Sequence, residues 1–335
     1  MQQLVALSVE AEAAGIDSIY LSEASRSGFV TLAAIAAATE RVRIGPYILN
    51  AYARSAWITG MSAIDLDELS GGRLLLGVGA GNKHINEVWQ GIPPARVLKK
   101  MAEYVTLLKK IVRTRLGETV KFDGALHAMD WPPAVQPVRS SIPVYLSAIY
   151  PKMISVAGRV ADGVALSSLM SPSYIRDIIR PRAEEAAADA GRDPRELGFI
   201  TSPFVSVGED RDAARDAARL ALCRLYHPLP RPYYDYSLRE HGFSKAADVA
   251  TKYVPKGNVK KAMEAMDDEI VDTLTIAGSM EDCAAKLAAF DGIVDETTLV
   301  NVNFVADSTE GMLDNFRNLI ALGVKASAAD SHIKG

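Results

Sequence analysis

Gly77, Gly79 and Gly81 stand at alternate positions after the apolar run Leu74-Leu75-Leu76, itself preceded by the double glycine Gly71-Gly72. Glycine lets backbone N–H groups face outward and approach a ligand closely, so this turn is a candidate cradle for an anion or a cofactor. In α/β folds, ligand sites are built at the carboxyl ends of strands, where this turn falls. The spacing excludes two better-known loops. A dinucleotide fingerprint needs a third glycine where Asn82 stands, and the Gly-Lys-Ser/Thr of a phosphate loop is absent. The competing reading is a tight turn in which the glycines only permit packing. His84, just past the turn, could reach a ligand or simply lie at the surface. His127, His227 and His241 lack ligand spacing, so no metal site is expected. Tyr233-Tyr234-Asp235-Tyr236 could line the mouth of a pocket for a flat substrate or pack a surface loop. Asp65, Asp67 and Glu68 read as helix-end and salt-bridge residues, and Trp57 and Trp89 as core or interface. Order and local motif give no Ser–His–Asp or Cys–His arrangement.

The elements that must position these groups alternate between strand and helix. An opening helix carries Leu4, Leu7, Ala11 and Ala14 at helical spacing and ends at Gly15. Strand 17–22 follows, with Glu23 at its carboxyl end, then a helix over 29–39, a strand over 42–49 and a helix over 56–69. Gly71-Gly72 stops that helix, and Leu74-Leu75-Leu76, apolar without alternation, reads as a parallel strand covered on both faces. Helix 96–112 is amphipathic, with Met101, Tyr104, Val105 and Leu108 on its apolar face. Lys99, Lys100, Lys109, Lys110 and Arg113 read as a solvated outer face. Strands at 143–148, 163–168, 199–207 and 298–304 alternate with helices to a closing helix at 309–322. The stretches 117–142 and 226–257 read as irregular insertions. Repeated strand–helix units argue for a parallel sheet with helices outside it. Seven strands are expected, and an eighth would precede the first helix, where the chain starts too late to supply it.

The chain has 335 residues, 49% hydrophobic and 23% charged, which is globular composition with ample length for a core. A single domain over 1–335 fits that length. With 37 Lys and Arg against 41 Asp and Glu the net charge is −4, with no long basic run, so neither nucleic acid nor an anionic membrane is an expected partner. Cys223 and Cys283 lie far apart without metal spacing, which points to a reducing compartment. With no signal-like amino terminus or membrane-length apolar stretch, the expected location is the cytoplasm.

With the strands placed, the chain resembles the bacterial luciferase-like superfamily. Two regions carry the likeness. The first holds Thr39-Glu40-Arg41-Val42-Arg43-Ile44-Gly45-Pro46, Tyr52-Ala53-Arg54-Ser55, Leu66 to Arg73 and Leu76 to Gly81. The second holds Ile142 to Ala148, Pro151, Ala157-Gly158 and Ala161-Asp162-Gly163. Within the superfamily it is similar to the deazaflavin-dependent methylenetetrahydromethanopterin reductases, through Asn50, Tyr52 to Ser55, Met266 to Ile270 and Ala277 to Ser279. The resemblance implies a (β/α)8 TIM-type barrel with insertions, its first strand missing from this chain, that binds coenzyme F420, with FMN as the alternative cofactor. It implies a non-prolyl cis peptide at Tyr47–Ile48 against the face of the deazaflavin ring, and a hydrogen bond from Asn50 to the ring edge. Gly79, Ala80, Gly81 and Asn82 would line the ring or its ribityl chain. Ala148, Ile149 and Tyr150 would offer N–H groups to the coenzyme phosphate, with Pro151 starting the helix behind them.

Two departures accompany the likeness. Glu23 and Ala24 stand where deazaflavin relatives usually carry an aspartate and a histidine. The first-strand glutamate that looks like the reductases' proton donor is absent, and a truncated start is the expected reason, because an open barrel would expose parallel edges. Glu23 is then the catalytic candidate among the residues present. The expected protein is an F420-dependent oxidoreductase, a homodimer through its early helices. Its expected reaction is hydride transfer in one-carbon metabolism, from the deazaflavin to a methylene-tetrahydropterin or -folate. An FMN-dependent monooxygenase and a non-catalytic ligand-binding homologue are the alternatives.

Overall fold

A computed structural model describes residues 1–24, 26–227, 231–302 and 309–333. In chain order the elements are α1 (Gln2–Ala14), β1 (Ser18–Leu21), α2 (Gly28–Ala38), β2 (Arg43–Pro46), β3 (Leu49–Asn50), α3 (Ala56–Leu69), β4 (Leu76–Gly79), α4 (Val97–Ile111), β5 (Val120–Asp123), β6 (Ala128–Trp131), β7 (Val144–Ser147), α5 (Pro151–Val160) and β8 (Gly163–Ala165). They continue with α6 (Pro172–Tyr174), α7 (Arg180–Asp189), β9 (Gly198–Thr201), β10 (Phe204–Val207), α8 (Arg211–Arg224), α9 (Pro232–Glu240), α10 (Ser244–Tyr253), α11 (Val259–Ala265), α12 (Asp268–Leu274), β11 (Thr275–Gly278), α13 (Met280–Ala288), β12 (Glu296–Thr297), β13 (Val300–Asn301) and α14 (Thr309–Ile333). The chain divides into two compact units. The first comprises Met1–Ala165 and Ile179–Phe199, and the second Leu166–Ile178 and Ile200–Gly335.

In the first unit every strand of the main sheet is parallel to its neighbours. β1 pairs with β2, β3 with β4, β4 with β7, and β7 with β8. The bridge Ile44 to Leu74 joins β2 to the lead-in of β4. Among the described residues β1 is bonded to β2 alone. Leu74, Leu75, Leu76 and Val78 are all buried, as a strand covered on both faces requires, but β4 begins only at Leu76 and takes in Gly77 and Gly79, which were expected in the turn after it. Gly71 (φ 67°) and Gly72 (φ 84°) do end α3, and the Gly72 N–H closes onto Asp67 O at 2.7 Å. Ser27 and Ser55 cap α2 and α3 by accepting the N–H groups of Val30 and Ile58.

In the second unit β10 is flanked in parallel by β11 and β13, and Ile200 and Thr201 pair with β12. The core gathers Phe204, Leu222, Leu238, Ala247, Met266 and Ile270. Buried Asn315 binds α14 to the sheet, donating to Asn301 Oδ1 at 2.5 Å and to Val205 O at 3.3 Å.

Several elements differ from the sequence expectation. The strand expected over 42–49 is two, β2 and β3, broken at Tyr47–Ile48. The strand expected over 199–207 is also two, because Pro203 has no N–H to continue a ladder. β11 was not expected at all. The stretch 117–142 is not irregular: it holds the antiparallel hairpin β5–β6. Nor is 226–257, which holds α9 and α10, with Pro232 in the first turn of α9 where its missing N–H costs nothing. Of the strand expected over 298–304, β13 covers Val300–Asn301, and residues 303 and 304 lie outside the described residues. Trp57 and Trp89 are exposed, so neither is a core residue.

Candidate functional site

The carboxyl ends of β1, β3, β4 and β7 gather the expected site residues in the first unit. Tyr47 N–H donates to Leu21 O at 2.8 Å, and Ser22 Oγ donates to Tyr47 O at 2.9 Å, which ties the end of β1 to the β2–β3 break. The Tyr47–Ile48 peptide bond is cis, the conformation the resemblance implies. Ile48 then lies over β4. A Cβ added at Gly79 would sit 2.8 Å from Ile48 Cδ1 and 3.1 Å from Ser147 Cβ, and one at Gly77 would sit 2.4 Å from Pro46 O. Packing therefore requires glycine at both positions, whatever contact they also make with a ligand. Gly81 differs. Its φ is +70°, a Cβ there would lie 2.5 Å from Asn50 Cγ, and the residue is exposed. The turn that Gly81 permits leaves Ala80 half-buried and Asn82 buried on either side of it.

Asn50 is nearly buried and already partnered. Its Nδ2 donates to Asn86 Oδ1 at 2.6 Å, and its Oδ1 accepts the Tyr52 N–H at 3.0 Å. One amide hydrogen and one lone pair remain for a ligand. Asn86, fully buried, donates in turn to Ala80 O at 2.8 Å and so fixes the glycine turn from behind. Asn82 Oδ1 accepts the His84 N–H at 2.8 Å, starting the helical turn that carries Asn86. His84 is half-buried and meets Trp89 edge to face at 6.5 Å.

Glu23 is held in place by two donors. Its Oε1 accepts the Gly28 N–H at 3.1 Å, at the first turn of α2, and forms an ion pair with Arg54 Nη2. Oε2 has no partner among the described residues. Arg54 lies over the Phe29 ring at 5.4 Å, and its buried Nε has no hydrogen-bond partner among the described residues. Below this pair, Tyr104 OH meets Thr59 Oγ1 at 2.7 Å. Burial pushes the Tyr104 phenol up to about 12, with Glu23 adding and Thr59 and Arg54 opposing, so it stays protonated.

At the end of β7, Ala148 N–H is committed to Ala165 O at 3.3 Å, which corrects the expectation that it faces a phosphate. Ile149 N–H has no partner among the described residues. Tyr150 is the N-cap of α5 without a side-chain cap, and Pro151 occupies the first helical position. Pro151 has no N–H, and those of Met153 and Ile154 donate to Tyr150 O at 2.9 and 3.0 Å, so the first-turn donor that remains, among the described residues, to suit an anion is the Lys152 N–H. Sequence reasoning quoted Arg54 only within a motif and passed over Asn86 and Tyr104 as site groups. The signal for Asn86 is a polar residue one helical turn after Asn82.

The protein class now follows from comparison. The model of the luciferase-like monooxygenase family matches residues 1–297, and the chain belongs to that family. It is 28% identical over 286 residues to the 5,10-methylenetetrahydromethanopterin reductase of Methanolobus tindarius, covering 83% of each chain. It is 25% identical over 340 aligned positions to a putative coenzyme F420-dependent oxidoreductase of Mycobacterium tuberculosis, covering 93% of this chain and 92% of that one. The solved coenzyme F420-dependent tetrahydromethanopterin reductase of Methanopyrus kandleri superposes with a TM-score of 0.76 at 22% identity, over 95% of this chain and 93% of that one. The fold is thus the α/β, TIM-barrel type of luciferase-like proteins. No described helix is long and apolar enough to cross a membrane.

Proposed function

We propose that this chain is an F420-dependent oxidoreductase that reduces a methylene-tetrahydropterin or methylene-tetrahydrofolate to the methyl form. One arrangement carries the reading. The turn after Gly79, through Asn82, stands beside the amino end of α5, in a chain whose relatives and structural neighbours include enzymes named for coenzyme F420. The buried Arg54 Nε and the Ile149 N–H, neither with a hydrogen-bond partner among the described residues, fit a coenzyme that brings both polar ring atoms and a phosphate.

When bound, the reduced deazaflavin supplies the hydride. The chain's residues bind and orient. Tyr47, Ile48 and Asn50 would hold the ring, Gly79, Ala80, Gly81 and Asn82 would line it and its ribityl chain, and Ile149, Tyr150 and Pro151 would receive the phosphate, Ala148 serving through its position alone. Hydride addition at the methylene carbon breaks its bond to one ring nitrogen, which takes up a proton. Glu23, its Oε1 fixed by Arg54 and Gly28, would orient through Oε2 the water that gives that nitrogen its proton. The exposed Val30, Trp57, Ile58 and Leu69 on α2 and α3 support a homodimer through the early helices. Free, buried Cys223 and Cys283 suit a cytoplasmic protein.

The test is anaerobic mixing of the protein with reduced F420 and, separately, methylene-tetrahydromethanopterin or methylene-tetrahydrofolate. Oxidation of the coenzyme on addition of one of them is expected. Oxidation with neither, while F420 still binds, sinks the substrate assignment, and oxygen consumption with reduced FMN moves the chain to the monooxygenases.

A further inference from the structure

The last turns of α4 and α5 and the turn after α7 border an open cleft of about 840 Å³ in the first unit, lined by Lys109, Lys110, Arg113, Lys121, Arg159 and Arg192. Its lining holds a single acid, Glu118, whose Oε2 accepts the Arg115 N–H at 2.8 Å. Asp162 is the second nearby carboxylate, accepting Lys109 Nζ at 2.7 Å and Arg113 Nη2 at 3.1 Å. Six cations thus face two carboxylates, in a chain whose net charge is −4.

Part of this charge answers a structural need. Helices end here, and their last carbonyls attract cations. Lys109 Nζ donates to Val160 O at 3.1 Å, Arg192 to Gly158 O, and Lys110 Nζ to Lys121 O at 3.2 Å. Capping does not account for Arg159 and Lys121, both exposed and with no side-chain partner among the described residues. Nor does it account for the crowding at half-buried Lys109. Burial pushes its ammonium down, Asp162 pulls it back, and Arg113 and Arg192 push it further down. An anion would relieve that repulsion.

The lining also sets the kind of anion. Three guanidinium groups offer the planar, two-pronged donor geometry that matches phosphate oxygens, with the Thr119 hydroxyl beside them, while those of Thr106 and Thr114 already donate to Ala102 O and Lys110 O. No aromatic ring lines the cleft, so nucleic acid bases have nothing to stack on. We infer that this cleft is a second binding site, for a compact anion carrying two or more phosphate groups. It lies at the amino ends of the parallel strands, whereas the glycine turn lies at their carboxyl ends, and it is independent of the proposed F420 activity.

Calorimetric titration of the full chain at low ionic strength with phosphate, pyrophosphate and tripolyphosphate tests this. Affinity should rise along that series and fall steeply with added salt. The double variant Arg159→Gln/Lys121→Gln, at exposed positions where folding is not at stake, should bind tripolyphosphate about tenfold more weakly or worse. Lys256→Gln/Lys260→Gln, the same charge change in the second unit, should bind it as the unaltered chain does. Absence of tripolyphosphate binding, or equal weakening in both double variants, overturns the assignment. So does a short single-stranded oligonucleotide that displaces tripolyphosphate at lower concentration than pyrophosphate does.

Discussion

The two edges of the parallel strands in the first unit are built from opposite chemistry. At the carboxyl edge the polar groups are backbone N–H groups, the side-chain amides of Asn50, Asn82 and Asn86, and one ion pair, Glu23–Arg54. At the amino edge they are cations, with Asp162, Asp67, Glu118 and Glu12 as carboxylates among them. Helix direction explains the division: helices begin beside the carboxyl ends of strands, presenting N–H groups, and finish beside the amino ends, presenting carbonyls. The carboxyl edge is neutral and shaped, which suits a large ligand held by many weak contacts. The amino edge is charged, and its salt bridges hold helices to strands.

If that division is right, the largest loss of stability comes from the amino edge. Asp67, 1% exposed, accepts Arg139 through both oxygens, at 2.9 and 2.7 Å, and the Leu74 N–H at 3.2 Å. Asp67→Ala strands a guanidinium and a strand-leading N–H, and should cost about 3–5 kcal/mol in denaturant unfolding. Its folded fraction should still bind coenzyme normally. A loss of coenzyme affinity without a loss of stability would blur the two edges.

Next comes activity at the carboxyl edge. Glu23→Gln keeps the side chain's size and removes its charge, so turnover should fall about 10²-fold with coenzyme affinity unchanged. Stopped assays and binding titrations on the same preparation separate the two. Weaker binding with normal turnover would make Glu23 a strut for α2. Gly79→Ala drives a methyl against Ile48 and Ser147, and should cost about 1–3 kcal/mol together with coenzyme affinity. Affinity surviving that change would leave the glycines with packing alone.

The smallest effect concerns pH. Burial alone would raise the Glu12 carboxyl, but N–H donors from Val42, Arg41 and Glu40, with the Arg41 charge, hold it at about 2 against an ordinary 4.5. A carboxyl lowered in the native state stabilises it fully above the ordinary value and loses that contribution as pH falls from about 4.5 toward 2. Glu12→Gln should flatten the pH dependence of unfolding in that window and leave it unchanged near neutrality.

Much of the carboxyl edge was legible because its signals are local. Gly71-Gly72 ends a helix, and uninterrupted Leu74-Leu75-Leu76 announces a buried strand, although that strand starts at Leu76 and runs on through Gly79. Other features depend on distant partners. Arg54 acquires its place from Glu23, and Asn86 from Asn50, each more than thirty residues away. β11 is four residues long and begins directly after α12, so no turn announces it. Pro232 and the tyrosines around it suggested a loop, yet proline in the first turn starts α9, and Tyr234 packs against Phe204 at 6.2 Å. Lys109 had the spacing of a solvated face. It is half-buried because the end of α5 and Asp162 close over it, which no helical period encodes.

The most direct test of the proposed cofactor is titration of the purified protein with F420 and, separately, with FMN, followed by tryptophan quenching and absorbance. The proposed function predicts saturable binding of F420, lost in Gly81→Ala, and weak or no binding of FMN. Tight FMN binding with none of F420, or F420 binding that Gly81→Ala leaves untouched, would contradict it.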